Sequence, residues 1–390
     1  MTSTSDTLQP AVTPKMRRGR WILLFLIAAC VGAAALFAMY LINPKPLPEL
    51  IPLPVNVYAE PHYLFSSVKV DKPVGVAVSP DGQRIYVAES GGERLIKILD
   101  RDGKVVGNFV APSTAVGSRA PVYLAIDSDG RVFVSDRIQG AVYVFTADGK
   151  FIDEILSPTL TLTEYVSKHA GGLPPGTTVA YDVVTRQLRY TVPGGEEQTL
   201  PPPDEGWSPL GVRFDKAGNL WVTDVMGDAH SVRVITREAL AAPSWQEFDS
   251  PERVIGKMGT GPGEFTFPNS AMVDSKGRLY VVDGNNGRIS VWDEQGKFLL
   301  EFGKGVGESV LGLPRGLWID GNDRLHVVDA VNQAVKVFDV SGDEPKFLVS
   351  LGAFGVRDGQ FNYPNDVTVD GSGRMYIADR ENDRIQIWSY

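Results

Sequence analysis

Acidic residues recur along the chain at a fixed distance from a proline, and carboxylates in such an array could ring a metal ion or tie down turns. The distance from proline to acid is fifteen residues in five copies and sixteen in the first. Because every copy has the acid, we expect it to cap the backbone amides of a turn or to pair with a neighbouring arginine. These structural acids are Glu89, Asp136, Asp224, Asp283, Asp329 and Asp379.

The residue that follows the proline differs between copies and is the better candidate for binding. It is apolar in three copies and polar in the others, as Asn269, Arg315 and Asn365, the last of which precedes Asp366. If the copies surround a common axis, these four side chains lie on one side of its mouth, as a small-ligand or peptide site requires. A mouth that holds only water is the alternative.

Two other kinds of catalytic centre are disfavoured by the sequence. The four histidines are scattered and show no spacing typical of a zinc site. No Gly-x-Ser-x-Gly motif occurs, and the single cysteine, Cys30, lies in an apolar run near the N-terminus. Neither a zinc enzyme nor a serine or cysteine hydrolase is therefore expected.

Each copy must position its acid and its variable residue on short strands. In the copy that begins at Pro268, apolar strands at residues 279–282 and 289–292 are separated by the turn 284–287. Successive copies begin 46 to 59 residues apart except for one interval of 88, which places an insertion at residues 157–207. Within it, residues 178–182 and 187–192 predict an extra hairpin.

The linkers between copies resemble those of NHL-repeat proteins. The glycine-rich connection GTGPGEFTFP at residues 259–268 recurs in related form at residues 352–364. In three copies an arginine follows the acid by five residues, as the family pattern has it: Glu89 with Arg94, Asp283 with Arg288, and Asp379 with Arg384. The resemblance implies an all-β fold, a six-bladed β-propeller over residues 61–390, in which radial repetition protects the sheet edges.

Closure of such a ring needs one more strand in the last blade. The alternation of Tyr63, Phe65, Val68 and Val70 predicts that residues 62–70 supply it. A WD-type propeller is disfavoured, because its Trp-Asp pair occurs in a single copy, at Trp292.

A second resemblance offers an alternative function. Gluconolactonase-type calcium enzymes are similar in fold, and the resemblance implies metal ligands at Asp71 and Asn269. However, Arg315 stands where an aspartate is expected, and calcium requires oxygen ligands. A calcium-dependent lactonase-like hydrolase or lyase acting at the channel mouth is therefore the alternative, and a protein without catalytic residues or cofactor is the main hypothesis.

The N-terminal segment predicts a membrane anchor. Residues 21–42 carry no charge and as a helix would span about 33 Å, which matches a bilayer core of about 30 Å. Basic residues at 15–20 predict that the tail, residues 1–20, is cytoplasmic and that the helix is a single-pass signal anchor. A lipoprotein modified at Cys30 and an ordinary cleaved signal peptide are the alternatives. The proline-rich residues 43–60 predict a semi-rigid stalk.

The overall charge bears on the partner. The chain carries a net charge of −9 at pH 7, whereas nucleic acid demands a basic surface. We therefore expect no nucleic-acid partner. The sequence predicts a membrane-anchored, extracytoplasmic NHL-repeat propeller that binds a protein, a peptide or a ligand of the cell envelope.

Overall fold

The computed structural model describes residues 60–390 except 113, 157–161, 183–184, 186, 202–206 and 242–252. The predicted anchor at 21–42 and most of the predicted stalk lie outside the described residues. Among the helices in the described part of the chain, none is both long and apolar enough to cross a bilayer.

Six antiparallel four-stranded sheets account for most of the described residues. Strand β1 (His62–Ser67) comes first and belongs to the last of them. The first sheet consists of β2 (Pro73–Val78), β3 (Arg84–Glu89), β4 (Ile96–Asp100) and β5 (Val105–Phe109). The second consists of β6 (Pro121–Ile126), β7 (Val132–Asp136), β8 (Ala141–Phe145) and β9 (Phe151–Ile155).

A small unit follows the second sheet, within the insertion. It contains helix α1 (Leu162–Ala170) and a three-stranded sheet of β10 (Thr178–Asp182), β11 (Gln187–Thr191) and β12 (Gln198–Leu200). Strands β10 and β11 form the expected hairpin, whereas the helix and β12 were not anticipated. Leu162, Tyr165 and Leu188 belong to a small hydrophobic core that this unit has to itself.

Four further sheets complete the architecture. The third contains β13 (Pro209–Phe214), β14 (Leu220–Asp224), β15 (Ser231–Ile235), helix α2 (Arg237–Leu240) in a connection, and β16 (Val254–Ile255). The fourth contains β17 (Pro268–Val273), β18 (Leu279–Asp283), a 3-10 turn (Gly284–Asn286), β19 (Arg288–Trp292) and β20 (Phe298–Phe302). The fifth contains β21 (Pro314–Ile319), β22 (Arg324–Asp329), β23 (Ala334–Asp339) and β24 (Lys346–Leu351). The sixth contains β25 (Pro364–Val369), β26 (Arg374–Asp379), a 3-10 turn (Arg380–Asn382) and β27 (Arg384–Ser389), on which β1 adds as the edge strand.

The sheets are arranged in a closed circuit. The strand that begins at each proline contacts its counterpart in the next sheet, and β25 contacts β2. Six hydrophobic cores lie between neighbouring sheets, and the one between the sixth and first sheets unites Tyr376 and Ile385 with Ile85 and Val87. Since the second and third strands are covered on both faces, strands such as β18 are buried along their whole length. The fold is an all-β, propeller-like assembly.

The predicted closing segment pairs as the ring requires. Strand β1 runs antiparallel to β27, from His62 opposite Ser389 to Ser67 opposite Ile385. Tyr63 packs edge-on against Trp388, with ring centroids 6.1 Å apart. The first strand of the described region, β1, thus supplies the outermost strand of the sixth sheet, whose other three strands are the last in the sequence.

Candidate functional site

One end of the ring collects the loops that carry the variable residues. Each proline pairs with the acid of its copy, as Pro268 does with Asp283, so that the innermost strand begins where the second strand ends. The connections that precede the innermost strands and the turns that follow the second strands therefore share this end. We call it the loop face.

The repeated acids hold these loops in place. Asp283 accepts a hydrogen bond from the backbone N–H of Thr266, and Asp379 accepts one from Asn362, each with an N–O distance of 2.7 Å. The other four acids accept equivalent bonds from the residues just before their prolines: Glu89 from Asp71, Asp136 from Ala120, Asp224 from Ser208, and Asp329 from Gly312 and Leu313. Each carboxylate thus fastens a connecting loop to its own sheet.

The family's acid–arginine pair is present in two sheets. Asp283 binds Arg288 and Asp379 binds Arg384, each at 2.8 Å. Burial raises the pKa of Asp283, while hydrogen bonds from Asn286, Thr266 and Arg288 lower it. Arg288 also donates to the carbonyl oxygens of Gly261 and Glu264, so it ties the preceding connection to the sheet.

In three other sheets the cation stands two residues further along the third strand. Glu89 pairs with Lys97 at 2.8 Å and not with Arg94, which instead donates to the carbonyl of Arg119. Asp224 pairs with Arg233 at 2.9 Å, and Lys336 lies 3.8 Å from Asp329. Residues two positions apart lie on the same face of a strand. A basic residue two positions beyond the place of the family's arginine could therefore have been recognised from the sequence as the partner of the acid.

Of the variable polar residues, Asn269 and Arg315 are in direct contact. Asn269 is 3% exposed; its amide donates to the carbonyl of Phe267 at 2.9 Å, and its carbonyl oxygen accepts from Arg315 at 3.1 Å. The amide of Asn365 donates to the carbonyl of Val74, in the neighbouring first sheet. These residues therefore join adjacent sheets around the space that the six innermost strands enclose, which we call the channel.

Simple alternation of side chains would place the apolar residues that follow the other prolines around the mouth of the channel, but they do not line it. Val74 and Leu210 are packed into the hydrophobic cores between sheets. The pairing register shifts just after the proline in every innermost strand, for example between Pro268 and Ser270. Such bulges re-aim the side chains next to them.

A buried arginine that the sequence reasoning missed crosses the channel. Arg213 forms an ion pair with Asp366 at 2.6 Å, and the two side chains are 2% and 0% exposed. It also donates to the carbonyls of Leu124 at 3.0 Å and Leu317 at 3.4 Å, which lie in the second and fifth sheets. Asp366 accepts in turn from the N–H of Val76 at 3.0 Å. One ion pair thus links five of the six sheets.

The position of Arg213 in its copy, four residues after the proline, could have marked it as exceptional in the sequence. The other copies carry uncharged residues there, namely Ala77, Ala125, Met272, Trp318 and Thr368. Burial raises the pKa of Asp366 to about 6, although the charge of Arg213 and hydrogen bonds from Val76, Val367 and Arg213 lower it.

Tyr123 lies beside Arg213 and belongs to the hydrophobic core between the second and third sheets. Its side chain is 1% exposed, and its ring centroid lies 5.7 Å from the guanidinium carbon of Arg213. Burial and the charge of Asp366 raise its pKa, while Arg315, Arg213 and Asn365 lower it. Among the described residues, neither the Tyr123 hydroxyl nor Nε of Arg315 has a partner with hydrogen-bonding geometry.

The residues named for a calcium site do not fit the ion. The carbonyl oxygen of Asn269 already accepts from a guanidinium, and a cation beside Arg315 would be repelled. The carboxylate of Asp71 packs against Gly91: a β-carbon added at residue 91 would lie 2.0 Å from Oδ1 of Asp71. In the part of the chain that the structure describes, no three His, Cys, Asp or Glu residues cluster as metal ligands.

The opposite end of the ring holds a cavity of about 180 Å³. Its wall includes Met272, Trp318 and Asp320. Asp320 is engaged by Arg324 at 2.7 Å, and although burial raises its pKa, His326 and Arg324 bring it down to about 2. Asp320 is therefore engaged in contacts that stabilise the fold.

The loop face is distinguished by exposed apolar side chains. Val306 is 95% exposed, Phe354 70% and Val356 72%, all in connections that lead into innermost strands. Four more lie in connections or turns at the same end: Val116, Ile138, Met258 and Val331. Exposed apolar residues gathered on one face are typical of an interaction surface.

Comparison with known proteins agrees with this architecture. The model of the NHL repeat matches residues 361–388. Lactonase drp35 of Staphylococcus aureus is 36% identical over 88 residues, which are 22% of this chain and 27% of that protein. NHL repeat-containing protein 3 of Homo sapiens is 25% identical over 186 residues, 44% of this chain and 51% of that protein. The chain thus spans about half or less of the length of these curated relatives.

Solved structures support the fold alone. The crystal structure of virginiamycin B lyase from Staphylococcus aureus superimposes with a TM-score of 0.51 at 15% identity, covering 85% of this chain and 99% of that one. The resemblance to NHL-repeat propeller proteins, and more distantly to lactonase-type propellers, is therefore confirmed.

Proposed function

We propose that this chain is a non-catalytic binding protein whose loop face docks a protein or peptide. The observation that carries the proposal is the set of exposed apolar side chains on that face, led by Val306, Phe354 and Val356. Exposed apolar patches on soluble domains mark interaction sites. The loops that present them are fastened by the repeated acids, so a partner would meet a preorganised surface.

The binding platform is, in this proposal, a six-bladed propeller. The seventh sheet, β10–β12, has a hydrophobic core of its own and is counted as an insertion rather than a blade. The six inter-sheet cores account for the ring without it. The helix predicted at residues 21–42 would hold this platform outside the cytoplasm, on a proline-rich stalk.

A calcium-dependent lactonase-like hydrolase or lyase is the second candidate, favoured by the similarity to lactonase drp35. That similarity covers 22% of this chain, and the hydrogen bond from Arg315 to Asn269 occupies the oxygen that a calcium ion would need. The binding function is therefore the one we put forward.

Peptide selection tests the proposal. A displayed library of random peptides is panned against the compact unit Tyr58–Tyr390, and the selected peptides are measured against variants. Phe354→Asp combined with Val356→Asp should weaken binding at least tenfold. The matched control is Val106→Asp on β5, which is 57% exposed away from the loop face and should leave binding unchanged.

The result that would overturn the proposal is equally concrete. Peptides that bind the loop-face double variant as well as the parent, or that lose affinity with Val106→Asp instead, would place the docking surface elsewhere. Hydrolysis of aromatic or aliphatic lactones by the same fragment in calcium would favour the enzyme.

A further inference from the structure

The cavity at the end opposite the loop face lies where five of the six innermost strands finish. Sheets one to five contribute its wall, which is mostly apolar and includes Val78, Met272 and Trp318. Its volume of about 180 Å³ compares with about 150 Å³ for a protein cavity that holds benzene. The cavity therefore accommodates an apolar group of about one ring.

The two cations on its wall do not favour an anionic ligand. Arg213 already donates from Nε to the carbonyl of Leu317, from Nη1 to the carbonyl of Leu124 and from Nη2 to Asp366. Its charge is therefore matched within the protein. Lys216 is exposed, and the flexible side chain of a lysine keeps its ammonium group in water.

The carboxylates on the wall are of two kinds. Asp274 and Asp320 each form an ion pair, at 2.7 Å, with the arginine four residues further on. Asp215 and Asp323 are half-buried and have no ion pair with any described residue. Two negative charges on the wall thus lack a cationic partner in this part of the chain.

The hydrogen bonds of these two carboxylates come from neutral donors. Asp215 accepts from the N–H and the side-chain amide of Asn219 and from the indole of Trp221, each with an N–O distance of 2.9 Å. Asp323 accepts from the backbone N–H of Ser275 at 3.0 Å and from its hydroxyl. A carboxylate has about four acceptor sites, so Asp323 retains about two of them for a ligand.

We infer that this cavity binds a small organic monocation: a primary ammonium that carries one apolar group of ring size. The apolar group packs against Met272 and Trp318, and the ammonium donates to Asp323, with Asp215 adding to the negative field. Aromatic rings attract cations, and the ring of Trp318 already has the guanidinium carbon of Arg213 5.7 Å from its centroid.

This site is independent of the docking proposed for the loop face. It lies at the other end of the ring, and its ligand needs no partner protein. Either proposal can therefore fail without the other.

Calorimetric titration of the full chain in nonionic detergent micelles at neutral pH tests the site. The probes are benzylamine, its neutral analogue benzyl alcohol, its anionic analogue benzoate, and methylamine, which lacks the ring. We expect benzylamine to bind about tenfold more tightly than benzyl alcohol, because its ammonium donates charged hydrogen bonds. Benzoate and methylamine should bind more weakly than benzylamine, since one has the wrong charge and the other buries little apolar surface.

A pair of carboxylate variants assigns the charge. Asp323→Asn keeps the size of the side chain, and asparagine tolerates the backbone φ of 53° at this position. It should weaken benzylamine binding about tenfold and leave benzyl alcohol binding unchanged. The control is Asp339→Asn: Asp339 also accepts from the N–H and hydroxyl of a serine, Ser341, in the same sheet, but it does not line the cavity. This variant should bind as the parent does.

A pair of valine variants assigns the apolar part. Val78→Phe adds a ring to the wall, so it should weaken the binding of both benzylamine and benzyl alcohol. Val106→Phe, at an exposed position on β5 of the same sheet, is the control and should bind both probes as the parent does. Thermal melts establish that each variant is folded.

Two kinds of result would overturn the inference. One is a parent chain that binds benzyl alcohol or benzoate as tightly as benzylamine, or that does not bind benzylamine at millimolar concentration. The other is a folded Asp323→Asn or Val78→Phe variant that retains the parent's affinity for benzylamine.

Discussion

Removal of Arg213 should destabilise the whole ring, because its ion pair with Asp366 connects sheets on opposite sides of the channel. Both side chains are almost fully buried, and the N–O distance is 2.6 Å. The substitution Arg213→Met keeps much of the packing but leaves a buried carboxylate unpaired. Breaking a buried pair in this way costs about 3–5 kcal/mol.

The size of the loss should depend on pH. Burial alone favours the protonated form of Asp366, and its pKa is already raised to about 6 with Arg213 in place. Without the arginine that pKa rises further, so at pH 5 the carboxyl takes up a proton and the unpaired charge disappears. We therefore expect the larger loss at pH 8 and a smaller one at pH 5.

Urea unfolding of fragment 58–390, followed by tryptophan fluorescence, measures both values. The control is Arg84→Met, which breaks an ion pair with Asp148 whose side chains are 41% and 81% exposed. An exposed pair contributes about 0–1 kcal/mol. A loss for Arg213→Met within 1 kcal/mol of this control at pH 8, or a loss that grows on going to pH 5, would refute the reasoning.

Three further predictions follow from the same contacts. In the folded chain the pKa of Asp366 is raised from 3.8 to about 6, so the stability that its proton contributes is complete below pH 3.8 and is lost as the pH rises through 6; relative to Asp366→Asn, the parent should lose about 3 kcal/mol of unfolding free energy over that window, and parallel pH curves would contradict this. Deletion of residues 61–70 removes β1 and exposes β27, so the melting temperature of the fragment should collapse; an unchanged melting curve would show that the ring closes without it. Alkaline phosphatase fused after Tyr390 should be active in bacteria if residues 21–42 anchor the chain with its tail in the cytoplasm, and an inactive fusion with normal expression would reverse that orientation.

The features that could be predicted from the sequence are those set by local pairing. The proline-to-acid spacing located the first two strands of each sheet, because Pro268 and Asp283 face each other across one hairpin. The pair of Asp283 with Arg288 also follows from neighbours on adjacent strands. Local spacing therefore sufficed for the scaffold of the loop face.

The channel could not be predicted in the same way, because its contacts depend on closure of the ring. Arg213 and Asp366 are 153 positions apart, and nothing in either strand points to the other. Simple alternation also fails after each proline, because the pairing register shifts there. Val74 is packed between sheets, whereas Asn269 meets Arg315. The buried ion pair of Arg213 with Asp366 forms because the closed ring brings together strands that are distant in the sequence.

The claim that this propeller binds without catalysis is tested most directly by a calorimetric titration of fragment 58–390 with calcium, repeated on Asn269→Ala. A calcium-dependent enzyme needs its ion, whereas the Asn269 oxygen here is engaged by Arg315. We predict no calcium binding at micromolar concentration in either protein. Tight binding by the parent that is lost in Asn269→Ala would contradict the account and favour the lactonase-like function.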